Sequence, residues 1–153
     1  MIPGSSYKHT QTAPLGILLF ALGVGMFVGA WFVRDDPVAV WVLPIMALLV
    51  CVFAFSFQHL TVEDEGDRLA VRFGPLPLFC KRIAYGQIQR VEADRTTLVD
   101  GWGIHYVPGR GWTYNLWGFD CVKLTLNGRM LRIGSDDVEN LLVFLRSKTG
   151  GEG

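Results

Sequence analysis

The side chains that could carry out chemistry are few, and none has the spacing of a familiar active site. Nucleophilic catalysis needs a serine or cysteine within reach of a base, and the usable bases reduce to His59 and His105, with no Gly-x-Ser-x-Gly elbow nearby. Residues 101–103 read Gly-Trp-Gly and lack the third glycine and the lysine of a phosphate-binding loop. No His, Cys or carboxylate pair has metal-ligand spacing. We therefore predict no catalytic residue, no metal site and no cofactor.

The hypothesis of an enzyme that acts on lipid or cell-envelope substrates stays open for one reason. A single sequence does not exclude an unfamiliar site, for example one in which Asp100, His105 and Asp120 meet in space. His105 alternates with aromatic neighbours in a predicted strand, and this pattern favours a structural or surface role for it.

The three cysteines favour a reducing environment. Cys51, Cys80 and Cys121 form no C-x-x-C pair, and Cys51 lies inside an apolar stretch where a structural disulfide would be unusual. Small thiols in a protein that faces the cytoplasm fit this pattern best.

The distribution of charge argues against two kinds of partner. The formal net charge is zero, and residues 58–153 carry twelve Lys and Arg against twelve Asp and Glu, which leaves no basic footprint for nucleic acid. Four acidic residues crowd one predicted turn at residues 63–67, opposed only by Arg68. Phosphoinositide binding is disfavoured because such a turn would repel an anionic headgroup.

Two long uncharged stretches precede this charged region. Residues 13–33 and 38–57 each match the roughly 20 residues that a helix needs to cross about 30 Å of hydrocarbon. Arg34-Asp35-Asp36-Pro37 separates them. Since peptide groups in lipid must be bonded within their own segment, we predict two antiparallel transmembrane helices joined by a tight polar turn.

The orientation of this hairpin depends on its flanking cations. Lys8 precedes the first helix, Arg68 and Arg72 follow the second, and Arg34 alone lies in the turn. Three against one predicts cytoplasmic N- and C-termini, as in a multi-pass protein of the bacterial inner (cytoplasmic) membrane. A cleaved signal peptide is the alternative, since residues 28–30 loosely resemble a signal-peptidase site; the thin basic region before them favours the retained hairpin.

Ala21, Gly25 and Gly29 recur every four residues on the first helix and form a candidate helix-packing face. Three small side chains on one face let another helix backbone approach closely. The partner is either this chain's own second helix or a helix of another copy or another membrane protein. The small residues that the second helix offers are Ala47, Cys51 and Ala54.

The chain after the hairpin, residues 58–148, shows the pattern of antiparallel strands. Short alternating stretches are broken by Gly, Pro, Asn and Asp. Hairpin turns are predicted at residues 64–67, at residues 108–111 and at Asn127-Gly128, a dipeptide that tolerates positive φ. About seven strands result.

One amphipathic helix follows these strands. Val138, Leu141, Leu142 and Leu145 recur at helical spacing and need a sheet to cover. The predicted fold class is a membrane α-helical hairpin followed by an α+β, mostly β domain. In that domain about seven antiparallel strands form a partly open barrel capped by the C-terminal helix. Residues 1–12 and 149–153 are predicted to be tails.

Aromatic residues are unusually dense between residues 102 and 119. They are Trp102, Tyr106, Trp112, Tyr114, Trp117 and Phe119. One interpretation is that half of these rings build the core and the others cover its flank. The other is an exposed aromatic surface that binds a partner peptide at a sheet edge or rests at the membrane interface. The candidate residues of that surface are Trp102, Tyr106, Trp112, Tyr114 and Trp117.

Four runs of the domain stand out as a set. They are Gly101-Trp102-Gly103-Ile104-His105-Tyr106, Gly111-Trp112-Thr113-Tyr114-Asn115-Leu116, Gly118-Phe119-Asp120-Cys121-Val122 and Arg132-Ile133-Gly134-Ser135-Asp136. This set resembles a group of uncharacterised bacterial membrane proteins that pair two transmembrane helices with a bacterial PH-like domain. The likeness covers the chain after its N-terminal tail. It implies a PH-like fold and no biochemical role.

Two functions follow as hypotheses. The first is a non-enzymatic, membrane-anchored PH-like interaction or scaffold module, whose hairpin lies in the lipid bilayer and whose domain binds an unidentified protein partner or another copy of the chain. The alternative is a small accessory or regulatory subunit of a membrane transporter or secretion complex. That subunit would dock through its transmembrane helices.

Overall fold

The structure, a computed structural model, describes residues 6–76, 78–97 and 100–150. Three α-helices and nine β-strands lie within those ranges. The helices are α1 (Leu15–Phe32), α2 (Ala39–Ser56) and α3 (Val138–Thr149). The strands are β1 (Lys8–Thr12), β2 (His59–Asp64), β3 (Arg68–Gly74), β4 (Cys80–Ala84), β5 (Ile88–Arg95), β6 (Gly103–Val107), β7 (Gly111–Asn115), β8 (Asp120–Leu126) and β9 (Arg129–Gly134).

Helices α1 and α2 form a hairpin, and both are long and apolar enough to cross a membrane. Each begins and ends within two residues of its predicted limits. In the turn between them, the Asp36 carboxylate accepts hydrogen bonds from the backbone N–H groups of Val38 and Ala39, at 2.8 and 2.9 Å. These bonds satisfy donors at the start of α2 that have no partner within the helix.

Strands β1 to β4 form an antiparallel sheet in that order. The predicted turn at residues 64–67 joins β2 and β3, so this hairpin is confirmed. Strand β1 lies in the segment for which the sequence predicts only a tail, and it pairs with β2 from Lys8 opposite Glu63 to Thr12 opposite His59. Its residues show no alternation of apolar and polar side chains, which is why the sequence gives no sign of a strand.

Strands β5 to β9 form a second sheet in the order β5-β8-β9-β7-β6. The predicted hairpins β6–β7 and β8–β9 are confirmed. Asn127 and Gly128, at the second turn, have φ of 46° and 80°, as their sequence suggests. The pairing of β7 with β9 is parallel, whereas the sequence predicts antiparallel strands throughout.

The domain consists of two sheets rather than the single partly open barrel that the sequence predicts. A short 3-10 turn at Tyr85–Gln87 carries the chain from β4 to β5. Among the described strands, β4 pairs only with β3 and β5 pairs only with β8. The hydrogen-bonded ladder is therefore interrupted at this turn, and β1 supplies the fourth strand of the first sheet.

One hydrophobic core lies between the two sheets and α3. Its fully buried members include Leu60, Leu69, Val71, Phe73, Ile83, Val122, Leu124, Ile133, Leu141 and Leu145. Each such side chain contributes roughly 1.5–3 kcal/mol through burial. The apolar face predicted for α3 is confirmed, because Leu141 and Leu145 are buried and Val138 and Leu142 pack against the core.

The hairpin and the domain are packed together where they meet. The backbone N–H of Gln58 donates to the carbonyl of Gly74 at 3.2 Å. The ring of Phe57, just after α2, packs against Phe73 and Phe79, with ring centroids 5.1 and 5.4 Å apart. We call this end of the domain its basal end.

Candidate functional site

Asp100, one of three residues considered for an unfamiliar active site, is a buried carboxylate that forms an ion pair with the half-buried Arg110. The Arg110 guanidinium donates to it twice, from Nε to Oδ1 and from Nη2 to Oδ2, each at 2.9 Å. The backbone N–H and hydroxyl of Thr97 donate to Oδ2 at 2.6 and 2.9 Å. Burial alone would raise the pKa of Asp100, but these bonds outweigh it and hold the pKa below its ordinary value. Asp100 is thus a structural anion.

The other two residues of that set have separate surroundings. Asp120 pairs with Arg95 at 3.0 Å on the surface. The exposed ring of His105 lies against Gly101, where an added Cβ would be 3.2 Å from Cε1 of the ring. Neither arrangement prepares a histidine and a carboxylate for joint proton transfer.

The cysteines and metal-ligating groups give no further candidate site. Cys51, Cys80 and Cys121 are free thiols. Burial and the nearby negative charge of Asp94 raise the pKa of the Cys121 thiol to about 12, so it stays protonated and unreactive. Within the described ranges, no group of three His, Cys, Asp or Glu side chains could hold a metal ion.

The dense aromatic residues lie mainly on the surface instead of being divided between surface and core. Five of the six are exposed, and Tyr114 is half-buried. Tyr106 and Trp112 are the most open, with 59% and 47% of their surfaces exposed. Apart from Phe119, the rings fall into two groups at different places on the domain.

The first group, Tyr106, Trp112 and Tyr114, lines one face of the β6–β7 hairpin. Trp112 lies opposite Tyr106, with ring centroids 5.5 Å apart, and 6.4 Å from the Tyr114 ring. The parallel pairing with β9 sets Trp112 beside Leu131 and Tyr114 beside Ile133, both of which are core residues. The core-facing side of this sheet therefore continues outward into an exposed aromatic strip.

A groove of about 580 Å³ separates this strip from β4 of the other sheet. Among the described residues that line it, the charged ones are all basic, namely Lys81, Arg82 and Arg129. A neighbouring cavity of about 450 Å³ extends it along Trp112 to Tyr106. We call this continuous surface the aromatic groove. The sequence does not single out its three cations, because the fold brings them together from β4 and β9.

The second group is the pair Trp102 and Trp117 at the basal end. Their rings are stacked, with centroids 4.4 Å apart and planes at 26°. The side-chain amide of Gln11, shortly before α1, donates to the Trp117 carbonyl at 2.9 Å. Next to Trp102, a Cβ added at Gly103 would lie 3.7 Å from the Phe57 ring. We call these two rings the basal tryptophans.

Helix α1 packs on α2 through a set of small residues different from the predicted one. Gly16, Gly23 and Ala30 are its buried residues, and they are spaced by seven. A Cβ added at Gly16 would lie 3.2 Å from the Ala54 carbonyl oxygen, and one at Gly23 would lie 3.2 Å from that of Ala47. The two backbones are in close contact along this line.

The predicted face, Ala21, Gly25 and Gly29, points away from that contact. Ala21 and Gly25 are exposed. A Cβ added at Gly25 or Gly29 would meet no described atom within 4 Å. This face is therefore not used within the hairpin.

The acidic turn of the domain is neutralised by cations from other segments. Each of its four carboxylates forms an ion pair: Glu63 with Lys8 (3.3 Å), Asp64 with Lys148 (2.9 Å), Glu65 with Arg82 (2.9 Å) and Asp67 with Arg68 (2.8 Å). Only Arg68 is a neighbour in sequence, so the sequence overstates the negative charge of this turn.

The candidate site is thus defined by its own geometry. The aromatic groove joins exposed rings to basic side chains between the two sheets, and the basal tryptophans lie where the domain meets the hairpin. Comparison of this chain with models of protein families, with curated proteins and with solved structures gives no match.

Proposed function

We propose that this protein is a membrane-anchored interaction module, in which the hairpin holds the β domain at a bilayer and the aromatic groove binds a protein partner. The surface of the hairpin supports the anchoring. Each 18-residue helix buries only three residues, so most of its apolar side chains face outward. An apolar surface of that extent needs lipid around it.

The location follows from the flanking charges. Lys8, Arg68 and Arg72 lie on the domain side of the helices, and Arg34 lies in the turn. Their imbalance supports a bacterial inner membrane protein whose termini and domain face the cytoplasm. The two sheets with a C-terminal helix packed on them support a PH-like domain similar to the bacterial group named above, although the parallel β7–β9 pair is a departure from the expected pattern.

The observation that carries the proposed binding function is the exposure of Tyr106 and Trp112 beside the basic residues of the groove. Each large aromatic side chain buries roughly 150–250 Å² when a partner covers it. Such side chains dominate the binding energy of many interfaces. Here β7, which carries Trp112 and Tyr114, is paired with β9 of the core, so the backbone that positions these rings is fixed before binding. Pre-ordered rings lose little entropy on binding.

The walls of the groove define the partner. Lys81 and Arg129 line the groove together with Trp112 and provide positive charge there, which favours carboxylates in the bound segment. The rings favour apolar side chains next to those carboxylates. The partner is therefore an extended segment of another protein that carries both acidic and apolar residues. No catalytic step is part of this function.

Affinity purification in mild detergent tests this function. Wild type, Trp112→Ala and the matched control Val143→Ala are purified from the same membranes, Val143 being an exposed apolar residue on α3, outside the groove. We expect a protein bound to wild type and to Val143→Ala to be lost from Trp112→Ala, with all three melting alike. Equal recovery of the partner by all three chains would contradict the proposal.

A second function, that of an accessory subunit of a membrane complex, is favoured by the open face at Gly25 and Gly29. This face allows a foreign helix to approach as closely as α2 does on the opposite side. Gly25→Leu would remove a docked membrane partner while the groove partner stayed bound. A photo-crosslinker at Gly25 that captures only α2 would count against this function.

A further inference from the structure

An open cleft of about 430 Å³ lies between the hairpin and the start of β6. One wall consists of side chains of α1 and α2, including Leu19, Val50 and Phe53, and the other of Trp102, Ile104 and His105. Of the described residues that line it, only His105 and the indole N–H of Trp102 offer a polar side-chain group, and that N–H donates to the Gly118 carbonyl at 3.4 Å. The cleft therefore fits an apolar ligand.

The position of the cleft along the helices identifies the source of that ligand. Leu19 lies four residues inside α1, which is about 6 Å along the helix axis, and Val50 lies six residues before the last residue of α2. The start of β6 thus stands beside the terminal turns of the two helices. Its facing wall is the outward surface of the hairpin, which contacts acyl chains if the hairpin spans a bilayer.

Tryptophans mark both ends of the hairpin. Trp31 and Trp41 are exposed near the turn, while Trp102 and Trp117 stack at the basal end. Sixteen residues separate Leu15 from Trp31, or about 24 Å of helix at 1.5 Å per residue. Tryptophan is enriched at the two interfaces of a bilayer whose hydrocarbon is roughly 30 Å thick. The basal tryptophans therefore lie at the depth of one interface.

The loop between β3 and β4 adds an apolar surface at the same end. Leu76 and Leu78 are exposed there. Phe79 follows them and packs against Phe57 at the end of α2. Exposed leucines beside the end of a membrane helix are stabilised by contact with lipid.

We propose that the cleft binds an acyl chain of a bilayer phospholipid, with Trp102 and His105 at headgroup level, so that the basal end of the domain rests on the membrane. This inference depends on the proposed membrane anchoring and extends it, because it gives the domain a second attachment. The attachment fixes the direction in which the aromatic groove faces. Tyr106 lies four strand residues beyond Trp102, about 13 Å further along β6, so the groove stays accessible to a partner in water.

Quenching of single tryptophans by lipid bromine tests the inference. Variants that keep one tryptophan and replace the other four by phenylalanine are reconstituted into phosphatidylcholine vesicles with or without brominated acyl chains. We expect the chain retaining Trp102 to lose most of its fluorescence in the brominated vesicles. The chain retaining Trp112 is the matched control and should keep its fluorescence, because Trp112 lies in the aromatic groove.

The chain retaining Trp31 distinguishes failure of the membrane anchoring from failure of the lipid cleft. If Trp31 is not quenched, the hairpin is not in the bilayer and the anchoring itself fails. If Trp31 is quenched and Trp102 is not, the anchoring holds and the lipid cleft is overturned.

A second measurement uses chains in which only one tryptophan is replaced. It therefore does not depend on the folding of chains that carry four substitutions. Trp102→p-benzoylphenylalanine is irradiated in intact membranes, with Trp112→p-benzoylphenylalanine as the control. We expect a phospholipid adduct on the first chain only, detected as an added mass on the peptide containing residue 102. An adduct to a second copy of the chain or to another protein, in place of lipid, would overturn the inference.

Discussion

Gly23 of α1 lies directly against Cys51 of α2, since a Cβ added at Gly23 would lie 2.5 Å from the cysteine sulfur. The same atom would be 3.2 Å from the backbone oxygen of Ala47. Real Cβ atoms essentially never come as close as the 2.5 Å to the sulfur, and the distance to the backbone oxygen is tight as well, so the two helices are in contact here because residue 23 has no side chain. Gly25, half a turn away, has open space around it.

Replacing Gly23 by leucine is therefore expected to separate the helices. Overpacking of a close contact costs about 1–3 kcal/mol, and here the carbonyl of Ala47 has no freedom to move aside. We expect Gly23→Leu to lower the melting temperature of the detergent-solubilised chain and to make the turn near Arg34 more accessible to protease. Gly25→Leu is the matched control and should melt like wild type. Equal destabilisation by both variants would show that the helices pack through a different face.

The small residues of α1 that contact α2 are spaced by seven. This spacing explains why the sequence indicates the helices but not their contact face. Uncharged length determines where a membrane helix lies, and it requires no knowledge of the partner. The contact face depends on the crossing of two helices, and Gly16, Gly23 and Ala30 follow the repeat of a left-handed pair. The four-residue spacing of Ala21 and Gly25 is equally regular in the sequence. Only the position of α2 shows which of the two sets of small residues forms the contact.

The domain and its candidate site were likewise predictable only in part from the sequence. Turn chemistry was sufficient to predict the β8–β9 hairpin, because Asn127-Gly128 acts locally. The surface position of the aromatic rings depends on the parallel β7–β9 pairing, which joins segments far apart in sequence. The grouping of Lys81, Arg82 and Arg129 depends on the approach of β4 to β9, which belong to different sheets. Long-range pairing of this kind leaves no periodic trace in a single sequence.

Strand β1 is expected to be an integral part of the domain. Tyr7, which immediately precedes it, is buried and stacks on Phe144 of α3 with ring centroids 5.2 Å apart, and its hydroxyl donates to Asp137 at 3.2 Å. Tyr7→Ala should lower the free energy of unfolding by about 3 kcal/mol, as for other buried aromatic residues. Chemical denaturation in detergent measures this change.

The neighbouring Lys8→Ala provides the control for that measurement. The Lys8 side chain is exposed, and its ion pair with Glu63 is at the surface, so its loss should cost less than about 1 kcal/mol. A Tyr7→Ala chain as stable as Lys8→Ala would mean that the N-terminal segment is not docked on α3.

Gly134, at the end of β9, is expected to tolerate no side chain. A Cβ added there would overlap the side-chain amide of Asn115, which is itself fully buried and donates to the Gly118 carbonyl at 2.9 Å. We expect Gly134→Ala to destabilise the domain by about 1–3 kcal/mol, since Asn115 would have to leave its hydrogen bond. Gly86→Ala is the control, because a Cβ at Gly86 meets nothing within 4 Å. Similar melting of the two variants would contradict the tight packing at Asn115.

The ion pair between buried Asp100 and half-buried Arg110 predicts a specific dependence of stability on pH. The pKa of Asp100 is lower in the folded chain than its ordinary value of 3.8. The ionised carboxylate therefore stabilises the fold fully above that value, and the stabilisation is lost as pH falls towards the folded pKa. Asp100→Asn removes this titration and weakens the bonds to Arg110, so it should cost about 1–3 kcal/mol at neutral pH.

The loss of stability at low pH then distinguishes the contribution of Asp100 from that of a surface carboxylate. As pH falls from neutral to below about 4, wild type should lose more stability than Asp100→Asn, and the extra loss should appear only below about pH 4, because only wild type has this carboxylate to protonate. Asp120→Asn, whose ion pair with Arg95 is exposed, is the control and should change stability by less than about 1 kcal/mol at neutral pH. Melting temperatures of the three chains across this range decide the matter. Parallel curves for wild type and Asp100→Asn would place the acid-sensitive group elsewhere in the domain.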